Sequence, residues 1–339
     1  MKKITICILL LIVIGAAVLP AMDKAQTDAW IAIQGEKNLQ AKLDKLEEYY
    51  KKYGDKDERN AIYMYSYLTD TAYQLQQFDK TIQYGEKALL YKEIDSQNKL
   101  LIYLFLANAY NLTKKDNDKA YSYADLVIEL AKSMRVENQS NANIETGFIA
   151  PALRIQVQLL AAKPQDPQNA VNAFNKSLEA YQLDKSEKSA NFVLVFSERM
   201  LKSDRVEDAI RGIEAINQNK PNADYYKMLG MWYARLKNQD KAIENLKASY
   251  EMKKNAKVAY DLGVLLNKTD IDSAMNYLAE SNLLNDEKYS GDALKLLQQL
   301  LLFVKTKGQS QKEQEKAFNE IMAAAKIRLE ITPPLSDTK

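Results

Sequence analysis

The stretch Tyr225–Tyr250, "YYKMLGMWYARLKNQDKAIENLKASY", decides how the rest of the chain is read. Tyr226, Leu229, Gly230 and Tyr233 recur at i, i+3, i+4 and i+7, the interval that places side chains on one face of a helix. After the polar "KNQD" come Ala242, Leu246 and Ser249 at the same interval, on a second helix. Two amphipathic helices joined by a short turn make an antiparallel hairpin. The glycine needs a reason, because inside a helix it costs about 1 kcal/mol relative to alanine. Helix axes approach as closely as the side chains at their crossing allow. Gly230 and Ala242 therefore predict a close crossing, with the packing of neighbouring Tyr and Leu side chains offsetting the lost propensity.

The device recurs. In "VAYDLGVLLNKTDIDSAMNYLAESN" the pair Leu262-Gly263 stands 33 residues after Leu229-Gly230, and the second helix carries Ala274, Leu278 and Ser281. The second-helix pattern also appears at Ala120/Ala124/Val127, Ala170/Phe174/Ser177, Ala209/Ile213/Ile216 and Ala317/Ile321/Ala324, with a weaker copy at Thr81/Gly85/Ala88. An interval near 33 with longer excursions predicts stacked hairpins carrying insertions.

This arrangement resembles the tetratricopeptide repeat family, whose first helix carries an aromatic, Leu-Gly and Tyr, and whose second carries Ala and a large apolar residue. Tyr226, Leu229, Gly230, Tyr233, Ala242 and Leu246 match place for place, with Tyr in the position of the usual Trp. The next copy keeps Leu262, Gly263, Ala274 and Leu278, and "YLFLANAY" keeps Tyr103, Leu106, Ala107 and Tyr110. The resemblance spans residues ~60 to ~330. It implies an all-α fold, a right-handed superhelical solenoid of about seven or eight antiparallel helix hairpins. It also implies a concave groove, lined by the first helices, that binds a protein or peptide.

Composition narrows the chemistry. The 339 residues include 47 basic and 45 acidic side chains, no histidine and one cysteine, Cys7. A nearly neutral chain has no long-range field to gather nucleic acid. Without histidine, and with its cysteine in the N-terminal apolar run, the chain lacks the commonest acid–base, nucleophilic and metal-binding side chains. No cofactor or metal is expected, and no enzymatic activity. The alternative is a helical-toroid enzyme acting on carbohydrate through carboxylates such as Glu47-Glu48 or Asp270/Asp272.

Residues 1–21 read as an export signal: Lys2 and Lys3, an apolar run from Ile4 to Leu19, then Pro20-Ala21. The expected location is the bacterial periplasm or the exterior. A short membrane anchor at residues 4–19, and hence a membrane-anchored assembly subunit, is the alternative. Residues 22–60 are expected to hold a degenerate first hairpin, 61–133 and 147–309 repeats, 310–331 a capping helix and 332–339 a frayed tail. The polar "SMRVENQSNANIETG" (Ser133–Gly147) reads as a loop, with a hinge at 134–146.

The repeat register nominates partner-binding residues on the first helices. They are Leu104, Asn108 and Asn111; Glu198 and Lys202; Lys227, Met231 and Arg235; Tyr260 and Lys268. Asn108 and Asn111 have the donors and acceptors to pair with a peptide backbone. The cochaperone clamp for a C-terminal carboxylate is rejected, because Leu104 and Met231 stand where it needs polar groups. Tyr73, Tyr103 and Tyr110 fall on the buried face, whereas Tyr63 and Tyr67 fall off it and are surface candidates.

Overall fold

Short polar side chains start many of the helices. Asn38, Asp95, Asp166, Asn222, Asn255 and Asp270 each accept a backbone N–H of the following first turn through the side-chain oxygen. Each such cap is worth about 1 kcal/mol. The computed structural model describes residues 24–330 apart from 55–57, 138–140 and 164–165. The export segment at 1–21 and the tail at 332–339 lie outside the described residues. Among the described residues there are helices and turns and no strand.

Contacts divide the chain into two units, residues up to Phe196 and residues from Ser197. The first unit contains α1 (Lys24–Gln34), α2 (Leu39–Tyr53), α3 (Glu58–Gln74), α4 (Phe78–Ala88), α5 (Ser96–Thr113), α6 (Asn117–Glu137), α7 (Asn141–Ile144), α8 (Ala150–Ala161) and α9 (Pro167–Asp184). Helix α10 (Glu187–Lys202) carries the division. The second unit continues with α11 (Val206–Asn219), α12 (Ala223–Arg235), α13 (Gln239–Met252), α14 (Ala256–Leu266), α15 (Ile271–Leu283), α16 (Ser290–Leu300) and α17 (Gln311–Arg328).

In the first unit α1 packs on α2, α3 on α4, α5 on α6 and α8 on α9, and successive pairs meet through α2–α3, α4–α5 and α6–α8. In the second, α12 pairs with α13 and α14 with α15, joined through α13–α14. The close crossings are where the glycines stand. A Cβ on Gly230 would lie 2.6 Å from Leu246 Cγ and 3.1 Å from the Ala242 carbonyl oxygen. On Gly263 it would lie 2.5 Å from Leu278 Cγ and 3.3 Å from the Ala274 carbonyl oxygen. An added side chain at either glycine would force the facing leucine to shift. Leu229, Tyr233, Ala242, Leu246, Leu262, Ala274 and Leu278 are buried, and Tyr226 is half-buried.

In two copies only the fully buried alanine differs from the sequence pattern, while Phe174 and Ser177 of α9 are fully buried as expected. The fully buried alanine of α9 is Ala173, with Ala170 half-buried, and that of α17 is Ala325, with Ala324 half-buried. The turns repeat as well. Gln76, Lys114, Asp204 and Lys237, each between a first and a second helix, all hold φ between 56° and 61°.

Within Ser133–Gly147 the described residues are helical where a loop was expected, and 138–140 lie outside the described residues. Helix α6 runs on to Glu137, and from Asn141 the chain is helical again, through α7 and a π-helical turn, Glu145–Ile149, into α8. The wider π turn buries Phe148 and Ile149. The two units divide in α10, not in the hinge expected at 134–146.

Carboxylates tie neighbouring pairs together. Glu47 on α2 accepts Lys80 Nζ at 2.7 Å and Tyr84 Oη at 2.6 Å, both from α4. Glu86 on α4 accepts Tyr110 Oη of α5 at 2.6 Å and Lys119 Nζ of α6 at 2.7 Å. In the second unit Tyr233 of α12 donates to Glu214 of α11, and Lys241 Nζ of α13 lies 3.3 Å from the same phenol oxygen.

Candidate functional site

The first helices present the nominated residues, and the two units treat them differently. In the first unit the face is largely closed on itself. Leu104, expected to line an open wall, is buried, because α5 is covered on nearly every side by apolar contacts. Phe105 stacks on Tyr73 with ring centroids 4.3 Å apart. Asn108 donates its amide N–H to the Tyr73 phenol oxygen, and Asn111 donates to Gln158 Oε1 at 2.7 Å. Asn108 and Asn111 thus form a polar line from α3 through α5 to α8. Each amide keeps its oxygen to accept a further donor.

Tyr63 is exposed on α3. Tyr67 is not, contrary to the sequence reading. It is half-buried against Trp30 of α1, edge to face with centroids 5.3 Å apart, and burial pushes its phenol up. Tyr110 is buried, while Tyr73 and Tyr103 are half-buried within the aromatic packing.

In the second unit the face is open. Glu198 and Lys202 are exposed at the end of α10. On α12, Lys227 pairs with Asp224 at 2.7 Å, Met231 is 41% exposed, and Arg235 pairs with Asp204 at 2.6 Å. On α14, Tyr260 lies half-buried with its ring 5.9 Å from that of Tyr289, Val264 is 39% exposed, and Lys268 is exposed just past the helix end. The repeat aligns these side chains. Glu198, Met231 and Val264 stand at 33-residue intervals, and so do Lys202, Arg235 and Lys268. A central row with two exposed apolar side chains runs beside a row of three cations. The cations also sit at the C-terminal ends of their helices, where they complement the helix dipole.

Three of the four carboxylates named for an acid–base mechanism are engaged in structure, and Glu48 is exposed. Glu47 is held by Lys80 and Tyr84, Asp270 caps α15 by accepting Ser273 N–H at 3.0 Å, and Asp272 pairs with Lys305 at 2.7 Å. Among the described residues no three acidic, histidine or cysteine side chains gather in a way that would hold a metal ion.

Sequence reasoning missed one polar cluster beside the first-helix face of the first unit. Arg154 of α8 pairs with Asp184 at the end of α9 and donates to Ser189 Oγ of α10 at 3.1 Å. Asp184 also accepts Ser186 N–H at 3.0 Å. Burial, reinforced by the Arg154 charge, pushes the neighbouring Lys188 ammonium down.

No protein-family model matches this chain, and no curated protein matches it. Solved structures similar to it include a tetratricopeptide repeat protein from Parabacteroides merdae, at 12% identity and a TM-score of 0.37, covering 80% of this chain and 96% of that one. Another is the TPR2AB domain of yeast Sti1 in a pHSP90 complex, at 14% identity and a TM-score of 0.40, covering 81% and 93%. A third is TTC0263, a TPR protein from Thermus thermophilus, at 18% identity and a TM-score of 0.27, covering 73% and 100%. The hairpin reading of this chain rests on its own contacts: Gly230 against Leu246 and Gly263 against Leu278 are the crossings that the repeat pattern requires.

Proposed function

We propose that this chain is an exported helical-repeat scaffold that binds a protein or peptide along the first-helix face of its second unit. The observation that carries the reading is the repeated row Glu198–Met231–Val264 beside Lys202–Arg235–Lys268. Two apolar side chains stay in water at equivalent places on the first helices of successive hairpins, where a soluble hairpin has no need of them. Apolar anchors flanked by charge suit a bound segment that buries one or two side chains and pairs its polar groups at the rim. Lys227 and Tyr260 complete the surface. Export rests on the pattern of residues 1–21, and retention of that segment would make the scaffold membrane-anchored.

Peptides selected by display on the chain without residues 1–21 test the binding face, with affinities read by calorimetry. Met231→Glu and Val264→Glu should each weaken the selected peptides by tenfold or more and leave the melting temperature in place. Peptides that bind both variants as tightly as the parent would remove the face from consideration. N-terminal sequencing of the cell-derived protein tests export, and an intact Met1 start would replace cleavage with anchoring.

A further inference from the structure

At the C-terminal end of the second unit, α16 runs on into a π-helical turn, Leu301–Lys305, and α17 folds back onto α15 and that turn. Helix α17 is lightly seated. Among its side chains only Ala325 is fully buried, while Phe318, Ile321 and Met322 are partly buried. Between α15, the π turn and α17 lies an open groove of about 300 Å³, floored by Met275, Leu301 and Ile321. An open groove beside a helix leaves its apolar lining without the dispersion contacts that close packing would supply.

What holds the far end is polar. Glu280 of α15 is buried, with its side chain 5% exposed. It accepts Tyr250 Oη of α13 at 2.6 Å and the guanidinium Nε–H of Arg328 on α17. Arg328 also donates to Asn276 Oδ1 at 3.2 Å. A carboxylate this buried requires a cationic partner, and among the described residues the cation bonded to it is Arg328 of α17. The near end is lighter still: Gln314 reaches the Thr306 carbonyl at 3.4 Å, and the Ser310–Glu313 capping box bonds only within the helix. The connector holds Gly308 at a φ of 84°.

We propose that α17 is a detachable cap, and that its seat on α15 accepts an amphipathic helix supplied in trans, provided that helix brings a cation to Glu280. The occupant's chemistry is written in α17 itself. It has small side chains where the helices cross, one or two larger apolar ones toward the groove, and an arginine one turn beyond the buried alanine. The proposal is independent of the binding face on α12 and α14.

Hydrogen exchange of the full chain tests the first half, and anisotropy of a labelled peptide of residues 310–330 tests the second. In Arg328→Gln the amides of α17 should exchange about ten- to a hundredfold faster, as for loss of a charged hydrogen bond, with α12–α14 unchanged. The labelled peptide should bind Arg328→Gln at least tenfold more tightly than the parent chain. A peptide with Arg328→Gln should not bind. Unchanged α17 exchange in the variant, or a loosened α17 with no peptide binding, overturns the proposal. If Arg328→Gln does not fold, the parent chain in 0–1 M urea decides. An α17 that opens separately at lower denaturant supports the cap, and an α17 that opens only with α12–α15 refutes it.

Discussion

The Glu86 carboxylate on α4 accepts the phenol hydroxyl of Tyr110 on α5 at 2.6 Å, so one hairpin's second helix holds the next hairpin's first. Lys119 joins the same oxygen from α6. The seam between hairpins is thus partly polar, and its strength depends on pH. For Glu86, desolvation works against ionisation, but hydrogen bonds from Lys119 and Tyr110 outweigh it and hold the carboxyl below its ordinary value of 4.5. Glu47 behaves alike beneath Lys80 and Tyr84.

A carboxylate with a depressed folded pKa contributes stability that is fully present above its unfolded pKa. That contribution is lost as pH falls through the folded value. The window for Glu47 and Glu86 therefore opens near pH 4.5 and extends downward. Urea midpoints between pH 6 and pH 3 should fall more steeply for the parent than for Glu47→Gln/Glu86→Gln. Parallel curves would mean that solvent screens both groups.

Gly230→Ala should destabilise the fold by roughly 1–3 kcal/mol, the usual cost of overpacking. This outcome opposes helix propensity, which favours alanine by about 1 kcal/mol. The conflict makes the substitution diagnostic, because the added Cβ meets Leu246 Cγ at 2.6 Å. Chemical denaturation is the measurement, and a stabilised variant would place the crossing farther apart.

Lys237→Gly should raise stability by a few tenths to about 1 kcal/mol. Lys237 holds φ at 60° in the α12–α13 turn. A side chain in the left-handed region costs roughly 1–2 kcal/mol, of which glycine's extra unfolded-state freedom returns a part. The thermal midpoint reads the sign directly.

Arg154→Leu should cost about 3–5 kcal/mol, because it strands the buried Asp184 carboxylate. Asp184→Asn in the same background should recover part of the loss, since a neutral amide needs no cation. A double-mutant cycle measures the coupling.

The hairpins of the second unit were legible because their signal is local. Leu-Gly and Ala-x-x-x-Leu specify a crossing within one stretch of chain, and the same crossing recurs 33 residues later. The exposed side of the first helices was legible in α12 and α14 for the same reason. It failed in α5, where Leu104 is covered by neighbouring helices. Burial there depends on the whole stack, not on one helix's period. Tyr67 failed because its cover, Trp30, comes from a helix outside the repeat pattern. Ser133–Gly147 looked like a loop because it is polar and aperiodic. The π turn shifts the register so that Phe148 and Ile149 reach the core, and no period of 3.6 anticipates that shift. Arg154–Asp184 and Glu280–Arg328 join residues 30 and 48 positions apart, with no spacing rule to connect them.

The recurring left-handed turn residue has an evolutionary corollary. Gln76, Lys114, Asp204 and Lys237 give hairpins of quite different sequence a common way to reverse direction. Duplicating or excising a whole pair would therefore bring matching ends together, whereas gaining or losing part of one would not. Chains built this way are free to change length in units of a pair, and their reach along a bound partner would change by the same step.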